Sequence, residues 1–154
     1  CAQIVKHRTS EDGRSNIVTL GQQRFRILEI IREAPFYTAM VTWIDDNSVD
    51  DQDELTALSS SVLLALKDVV SLTGKLTDSE RSLPEGLPEI PRELSFWIAS
   101  HLGGSVADEQ QSLLEMLDTK TRLQREYDML DQTRRQLAAR TALKETLSNA
   151  DPKN

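Results

Sequence analysis

The sequence predicts an α+β fold, and three observations predict it. Residues 1–46 run in short, β-branched, alternating segments broken at Gly13, Gly21 and Pro35, which is strand and turn chemistry. Residues 47–150 carry apolar side chains three and four apart, the spacing of helices with one buried face. The length of 154 residues supports one domain with a core, able to bury roughly 70% of its unfolded surface.

Four strands are expected in order. Ala2 to Arg8 alternates loosely around Ile4 and Val5, and Glu11-Asp12-Gly13 supplies a tight turn because glycine accepts positive φ. Asn16 to Leu20 returns as a second strand, after which Gly21 breaks or bulges the sheet. Gln23 to Glu33 forms a long third strand, with Phe25, Ile27 and Ile31 on one face and Arg24, Arg26 and Arg32 on the other. Pro35 marks the next turn, and Tyr37 to Ile44 forms the fourth strand. The expected arrangement is a four-strand antiparallel meander with two open edges. Natural sheets cover, close or charge such edges, so partner strands are expected to precede Cys1 in a longer protein.

The acidic stretch Asp45 to Glu54 reads as a solvated loop and helix start, since carboxylates suit the positive end of a helix dipole. It lacks the glycine and glutamate offsets of a calcium loop. Leu55, Leu58, Val62, Leu66 and Val69 then stripe a helix expected from about Asp53 to Leu72, with Gly74 as its stop. Gly74-Lys75-Leu76-Thr77 is no phosphate loop: Val69 stands where the leading glycine belongs and Leu76 where a magnesium hydroxyl belongs. Thr77 to Ile90 is a connector with three turn formers, Pro84, Gly86 and Pro88.

Pro91 suits the first position of a helix through Leu102, whose buried side is Leu94, Trp97, Ile98 and His101 or Leu102. Gly103-Gly104 is its expected end. Ser105 and Asp108 resemble a capping box for a third helix carrying Leu113, Leu114, Met116 and Leu117. Asp118 or Thr119 caps a long last helix through about Leu147, with Leu123, Tyr127, Leu130 and Leu137 on its stripe and Asp151 to Asn154 as a frayed tail. The same register meets Arg134, Thr141 and Lys144, so the distal part of that helix faces solvent or another chain.

Charge and composition narrow the function. The net charge of −7 repels phosphate backbones and anionic lipid, which disfavours nucleic acid as a partner. With one cysteine, Cys1, neither an internal disulfide nor a multi-cysteine zinc site forms. No uninterrupted run of about 18 apolar residues is present, so no membrane span is expected.

Catalytic groups do not assemble in the sequence. His7 and His101 lie on different elements without matched partners, and His101 beside Trp97 and Ile98 reads as a core histidine. Ser59-Ser60-Ser61 lies inside a helix, away from any nucleophile elbow. Candidate partner-binding residues are Arg24 and Arg26 around Phe25, with Phe36 and Tyr37, because arginine and aromatics concentrate in interface hot spots. Arg134 and Arg140 on the last helix complete the set. The competing reading of Arg24 and Arg26 is cross-strand pairing with acidic neighbours.

Several stretches together resemble a known family. Asp12-Gly13-Arg14-Ser15, Gly21-x-x-Arg24-Phe25-Arg26-Ile27-Leu28, Pro35-Phe36-Tyr37 and Val41-x-Trp43-Ile44-Asp45-Asp46 resemble the second half of the β-subdomain of the LON domain, the amino-terminal substrate-binding module of ATP-dependent Lon proteases. Residues 91–100, 109–115 and 137–142 look most like standalone LON proteins of plants, typically plastid-directed, and of cyanobacteria. The resemblance implies a partial PUA-like antiparallel β-barrel lacking its first strands, followed by a helical bundle with a long carboxy-terminal helix.

It divides the chain into β-subdomain residues 1–46, helical residues 47–150 and a tail, 151–154. No AAA+ phosphate loop or Ser-Lys peptidase segment occurs in these residues. The expected role is therefore non-catalytic binding of protein partners or unfolded polypeptide, as an adaptor or assembly factor, with no cofactor and no metal. The alternatives are a structural subunit of a larger assembly docking through its helices, or RNA binding through the PUA-like fold. The resemblance implies the chloroplast stroma as the compartment, with the cytoplasm as the alternative.

Overall fold

The computed structural model describes residues 1–47, 51–102 and 107–150. Its contacts divide into two compact units, Cys1–Asp46 and Asn47–Asn154. Four strands, β1 (Ala2–Thr9), β2 (Ser15–Gly21), β3 (Arg24–Arg32) and β4 (Thr38–Ile44), precede four helices, α1 (Gln52–Thr77), α2 (Pro91–His101), α3 (Ala107–Glu115) and α4 (Thr119–Ala150). This is an α+β fold.

The strands form two antiparallel ribbons, β1 with β2 and β3 with β4, rather than the expected four-strand meander. Gly21 ends β2, and Gln22 and Gln23 bond back to Cys1 at the open end of the first ribbon. The Gln22 N–H donates to the Cys1 carbonyl at 2.9 Å, and the Cys1 amino group donates to the Gln23 carbonyl at 2.8 Å. The β1–β2 turn is the one expected: Gly13 sits at φ 83° and its N–H reaches the Ser10 carbonyl.

Register shifts between Ile4 and Lys6, Ile27 and Glu29, and Ile30 and Arg32 interrupt the two-residue alternation. The predicted face of Phe25, Ile27 and Ile31 is therefore not continuous, because each bulge resets which side chain points where. Phe25 and Trp43 are directly opposed across β3 and β4, their rings edge to face at 6.2 Å. The apolar side chains of both ribbons stay largely exposed.

The core of the second unit is Leu55, Val62 and Ala65 of α1, Leu94 and Ile98 of α2, and Leu123 and Leu130 of α4. All but Ala65 belong to the predicted stripes, of which Leu58, Leu66 and Val69 are only partly buried, and burying each large side chain contributes about 1.5–3 kcal/mol. Asp51 caps α1 by accepting from the Glu54 N–H at 2.9 Å. The three serines at 59–61 each donate to the carbonyl four residues back, the inert helical role expected of them.

Two expectations for α1 need correction. The helix runs through Gly74 to Thr77, and the left-handed residue that ends it is Asp78 at φ 49°, whose N–H returns to the Gly74 carbonyl. Gly74 serves packing instead: a Cβ there would lie 2.7 Å from the Ser79 carbonyl oxygen. By length and composition alone α1 could also cross a membrane, although its longest unbroken apolar run falls well short of about 18 residues. In this structure its Leu55, Val62 and Ala65 face packs with α2 and α4.

Pro91 opens α2 as predicted, and Asp118 caps α4 by accepting from the Thr121 N–H at 2.6 Å. The expected helix end at Gly103-Gly104, the Ser105 half of the capping box and the tail 151–154 lie outside the described residues.

Candidate functional site

The helical unit holds an apolar groove of about 910 Å³. Its sides come from four segments: Leu66, Val69 and Val70 of α1, Trp97, Ile98 and His101 of α2, Met129, Leu130 and Thr133 of α4, and the connector from Glu80 to Pro84. The helices supply this surface because the same stripes that build the core run past its edge, leaving Val69, Trp97 and Leu102 only partly covered.

Trp97 and His101 lie one helical turn apart and stack at 4.1 Å with 23° between their planes. The His101 ring is held by Nδ1, 2.8 Å from the Trp97 carbonyl and 2.9 Å from Ser100 Oγ. The indole N–H of Trp97 has no hydrogen-bond acceptor among the described residues and is not sealed from solvent. The groove therefore presents a mainly apolar surface with a few polar side chains, among them Glu80, Arg81 and Thr133, at its edge, the composition common to binding pockets.

The connector wall is fixed at its base. Lys144 of α4 places Nζ 2.7 Å from both Asp78 carboxylate oxygens, 3.1 Å from the Lys75 carbonyl and 3.2 Å from the Leu76 carbonyl. One ammonium thus satisfies the free carbonyls at the end of α1 and sets where the connector leaves. Below the groove, Arg122 of α4 is buried and bonds Ser95 Oγ at 2.8 Å, the Met116 carbonyl at 3.0 Å and Thr119 Oγ1 at 3.3 Å, with its guanidinium 4.0 Å from the Phe96 ring centre. Glu126 is also buried, and burial pushes its carboxyl up to about 8.

The sequence candidates are dispersed. Arg24 is paired with Asp46, both side chains nearly buried, so it takes the cross-pairing role. Phe36 and Tyr37 are 62% and 72% exposed, and Arg32 lies over the Phe36 ring at 4.6 Å. They sit at the turn end of the β3–β4 ribbon, whereas Arg24 and Arg26 pair with Ile44 and Thr42 at the other end. About eight residues of strand, roughly 25 Å, separate the two groups, so the structure does not bring them together. Arg134 pairs with Asp131 at 2.5 Å and approaches Asp68 of α1 at 3.5 Å, while Arg140 is exposed. Trp97 was legible as part of a helix face but not of a groove, because only the connector's path turns that face into a concavity, and His101, expected as a core histidine, is exposed at the last turn of α2. No group of three or more His, Cys, Asp or Glu that could hold a metal occurs among the described residues.

A family model described as the ATP-dependent protease La (LON) substrate-binding domain matches residues 1–132. The chain belongs to the LON substrate-binding domain family. Among curated relatives it is 27% identical to the Lon protease of Anaeromyxobacter dehalogenans over 133 residues, which is 86% of this chain and 16% of that protein. It is 28% identical to Lon protease 2 of Myxococcus xanthus over the same shares, and 30% identical to the Lon protease of Geobacter metallireducens over 97% of this chain and 18% of the relative. The chain thus spans less than a fifth of the relatives' length, and the matched family is the substrate-binding one. A role in binding protein substrate fits the LON segment, and the groove lies mostly within the matched residues.

Proposed function

We propose that this LON domain is a non-catalytic adaptor or assembly factor that holds apolar side chains of an unfolded or partner polypeptide in the groove between α1, α2, α4 and the connector. The groove carries the reading: about 910 Å³ accommodates several apolar side chains, on a unit whose family is described as substrate-binding. A pocket of that size with few polar groups suits segments exposed only in incompletely folded chains.

The test is binding of a fluorescent, unstructured peptide with a leucine and phenylalanine core, followed by anisotropy. Leu66→Arg and Met129→Arg, each checked for native helix content, are expected to abolish binding, while Tyr37→Ala leaves it unchanged. Equal binding by the groove variants and the parent overturns the reading.

A second reading, a structural subunit docking through its last helix, draws on Leu143 and Leu147, which are 64% and 70% exposed on α4. It predicts co-purification with one assembly at fixed stoichiometry, lost in Leu143→Asp/Leu147→Asp. The plastid placement rests on the resemblance of residues 91–100, 109–115 and 137–142, and a fluorescent fusion of the full-length gene product tests it.

A further inference from the structure

The connector wall of the groove is held differently from the helical walls. Its two ends are fixed: the Ser79 N–H bonds the Gly74 carbonyl at 3.0 Å beside the Lys144–Asp78 pair, and the Ile90 carbonyl accepts from the Leu94 N–H at 2.9 Å. Between those ends, from Ser82 to Glu89, no residue makes a hydrogen bond or an ion pair among the described residues. The half-buried side chains of this span are apolar, namely Leu83, Leu87 and Pro88, and of these Leu83 lines the groove.

Attachment of this kind is non-directional, so the span can shift against the groove without breaking a bond. The joint for such a shift is present. Pro84 and Pro88 fix their own φ, whereas Gly86 between them sits at φ 75° with nothing within 4 Å of where a Cβ would stand. An apolar segment in the groove gives Leu83 more surface to cover, and a wall free of directional bonds follows it. We propose that residues 80–89 are a strap, pinned at Ser79 and Ile90 and jointed at Gly86, that folds over an apolar segment lying in the groove and retains it through Leu83. The proposal rests on the binding role of the groove and adds how the occupant is held.

The experiment uses the full chain, an unstructured peptide with a leucine and phenylalanine core flanked by serines, and a protease specific for glutamate. Glu85 is exposed in the span but lies outside the groove lining, so cleavage after it reads the strap and not direct cover by the peptide. Glu11, exposed in the β1–β2 turn, is the internal control. Saturating peptide is expected to slow cleavage after Glu85 about fivefold or more, because cleavage needs the span to open locally, and to leave cleavage after Glu11 unchanged. Mass spectrometry follows both cuts.

In Leu83→Ser, checked for native helix content, the peptide associates at the parent's rate, dissociates about tenfold faster and no longer protects Glu85. Leu83→Met restores slow dissociation. Cleavage after Glu85 at one rate with and without bound peptide overturns the strap and leaves the groove standing, as does release of the peptide by Leu83→Ser at the parent's rate. Tighter binding by Leu83→Ser overturns it as well, because the connector would then obstruct the groove. A peptide that binds neither parent nor variant overturns the groove reading itself, and the strap with it.

Discussion

Glu126 lies one turn beyond Arg122 on α4, both are fully buried, and neither carboxylate oxygen of Glu126 accepts a hydrogen bond among the described residues. The arginine is committed to Ser95, Met116 and Thr119. Its positive charge favours ionised Glu126, but burial outweighs it and the acid stays protonated at neutral pH.

The stability of the helical unit is therefore expected to fall as pH rises from about 4.5 to about 8. The folded state holds the Glu126 proton over that window and the unfolded state does not, so raising the pH favours unfolding. Glu126→Gln removes this slope and melts above the parent at pH 8.5. Circular dichroism melts at pH 5.5 and 8.5 check it; parallel slopes in both proteins count against it. Below the usual carboxylate range the opposite sign applies. Asp118, held low chiefly by its bonds to Thr121, and Asp131, held low chiefly by Arg134, lose their favourable contacts as they protonate.

Arg122→Met is expected to destabilise the unit by about 3 kcal/mol, because Ser95 and the Met116 carbonyl lose a charged donor inside the protein. Arg122→Lys recovers little, since an ammonium cannot reproduce the planar fork or its seat over Phe96. Urea denaturation at constant pH measures both. A loss under about 1 kcal/mol for Arg122→Met contradicts the role given to this residue.

Lys144→Met frees the end of α1. The expected loss is modest, about 1 kcal/mol, because the ammonium is partly exposed and its pair with Asp78 is screened. Hydrogen exchange is the sharper readout: the amides of Leu55 and Val62 keep their protection while those of Asp78 and Ser79, which bond the Gly74 carbonyl, lose it. Uniform loss of protection along α1 points to global destabilisation instead.

Gly74→Ala sets two effects against each other. Alanine gains about 1 kcal/mol of helix propensity. Its Cβ would meet the Ser79 carbonyl oxygen at 2.7 Å, a backbone atom that cannot swing aside. The clash is expected to win and lower the melting temperature by several degrees. A rise in melting temperature would mean that the turn after α1 gives way at little cost.

Much of this was legible along the chain. Leu55, Val62, Leu94, Ile98, Leu123 and Leu130 are core residues whose spacing already marks one helix face, and Pro91 and Gly13 stand where their backbones require. Strand pairing was less legible, because bulges at Leu28 and Ile31 erase the alternation, and periodicity alone does not say which neighbouring strands pair. The end of α1 was misread because Gly74 serves a close approach rather than a left-handed turn, which only the Ser79 carbonyl reveals. Arg122 and Glu126 show four-residue spacing in the sequence, but that pattern is the same for a solvent-exposed pair. The groove needed the connector, whose course no periodicity encodes.

The chain has two tryptophans, and the division into two units gives one to each. Trp43 stands 57% exposed on a strand, whereas Trp97 is half-covered against His101. Their emission should differ in colour and in access to an aqueous quencher, so Trp43→Phe and Trp97→Phe convert the molecule into two optical gauges. One reads only the ribbons and the other only the helices, and each half can be followed through denaturation without attaching a dye.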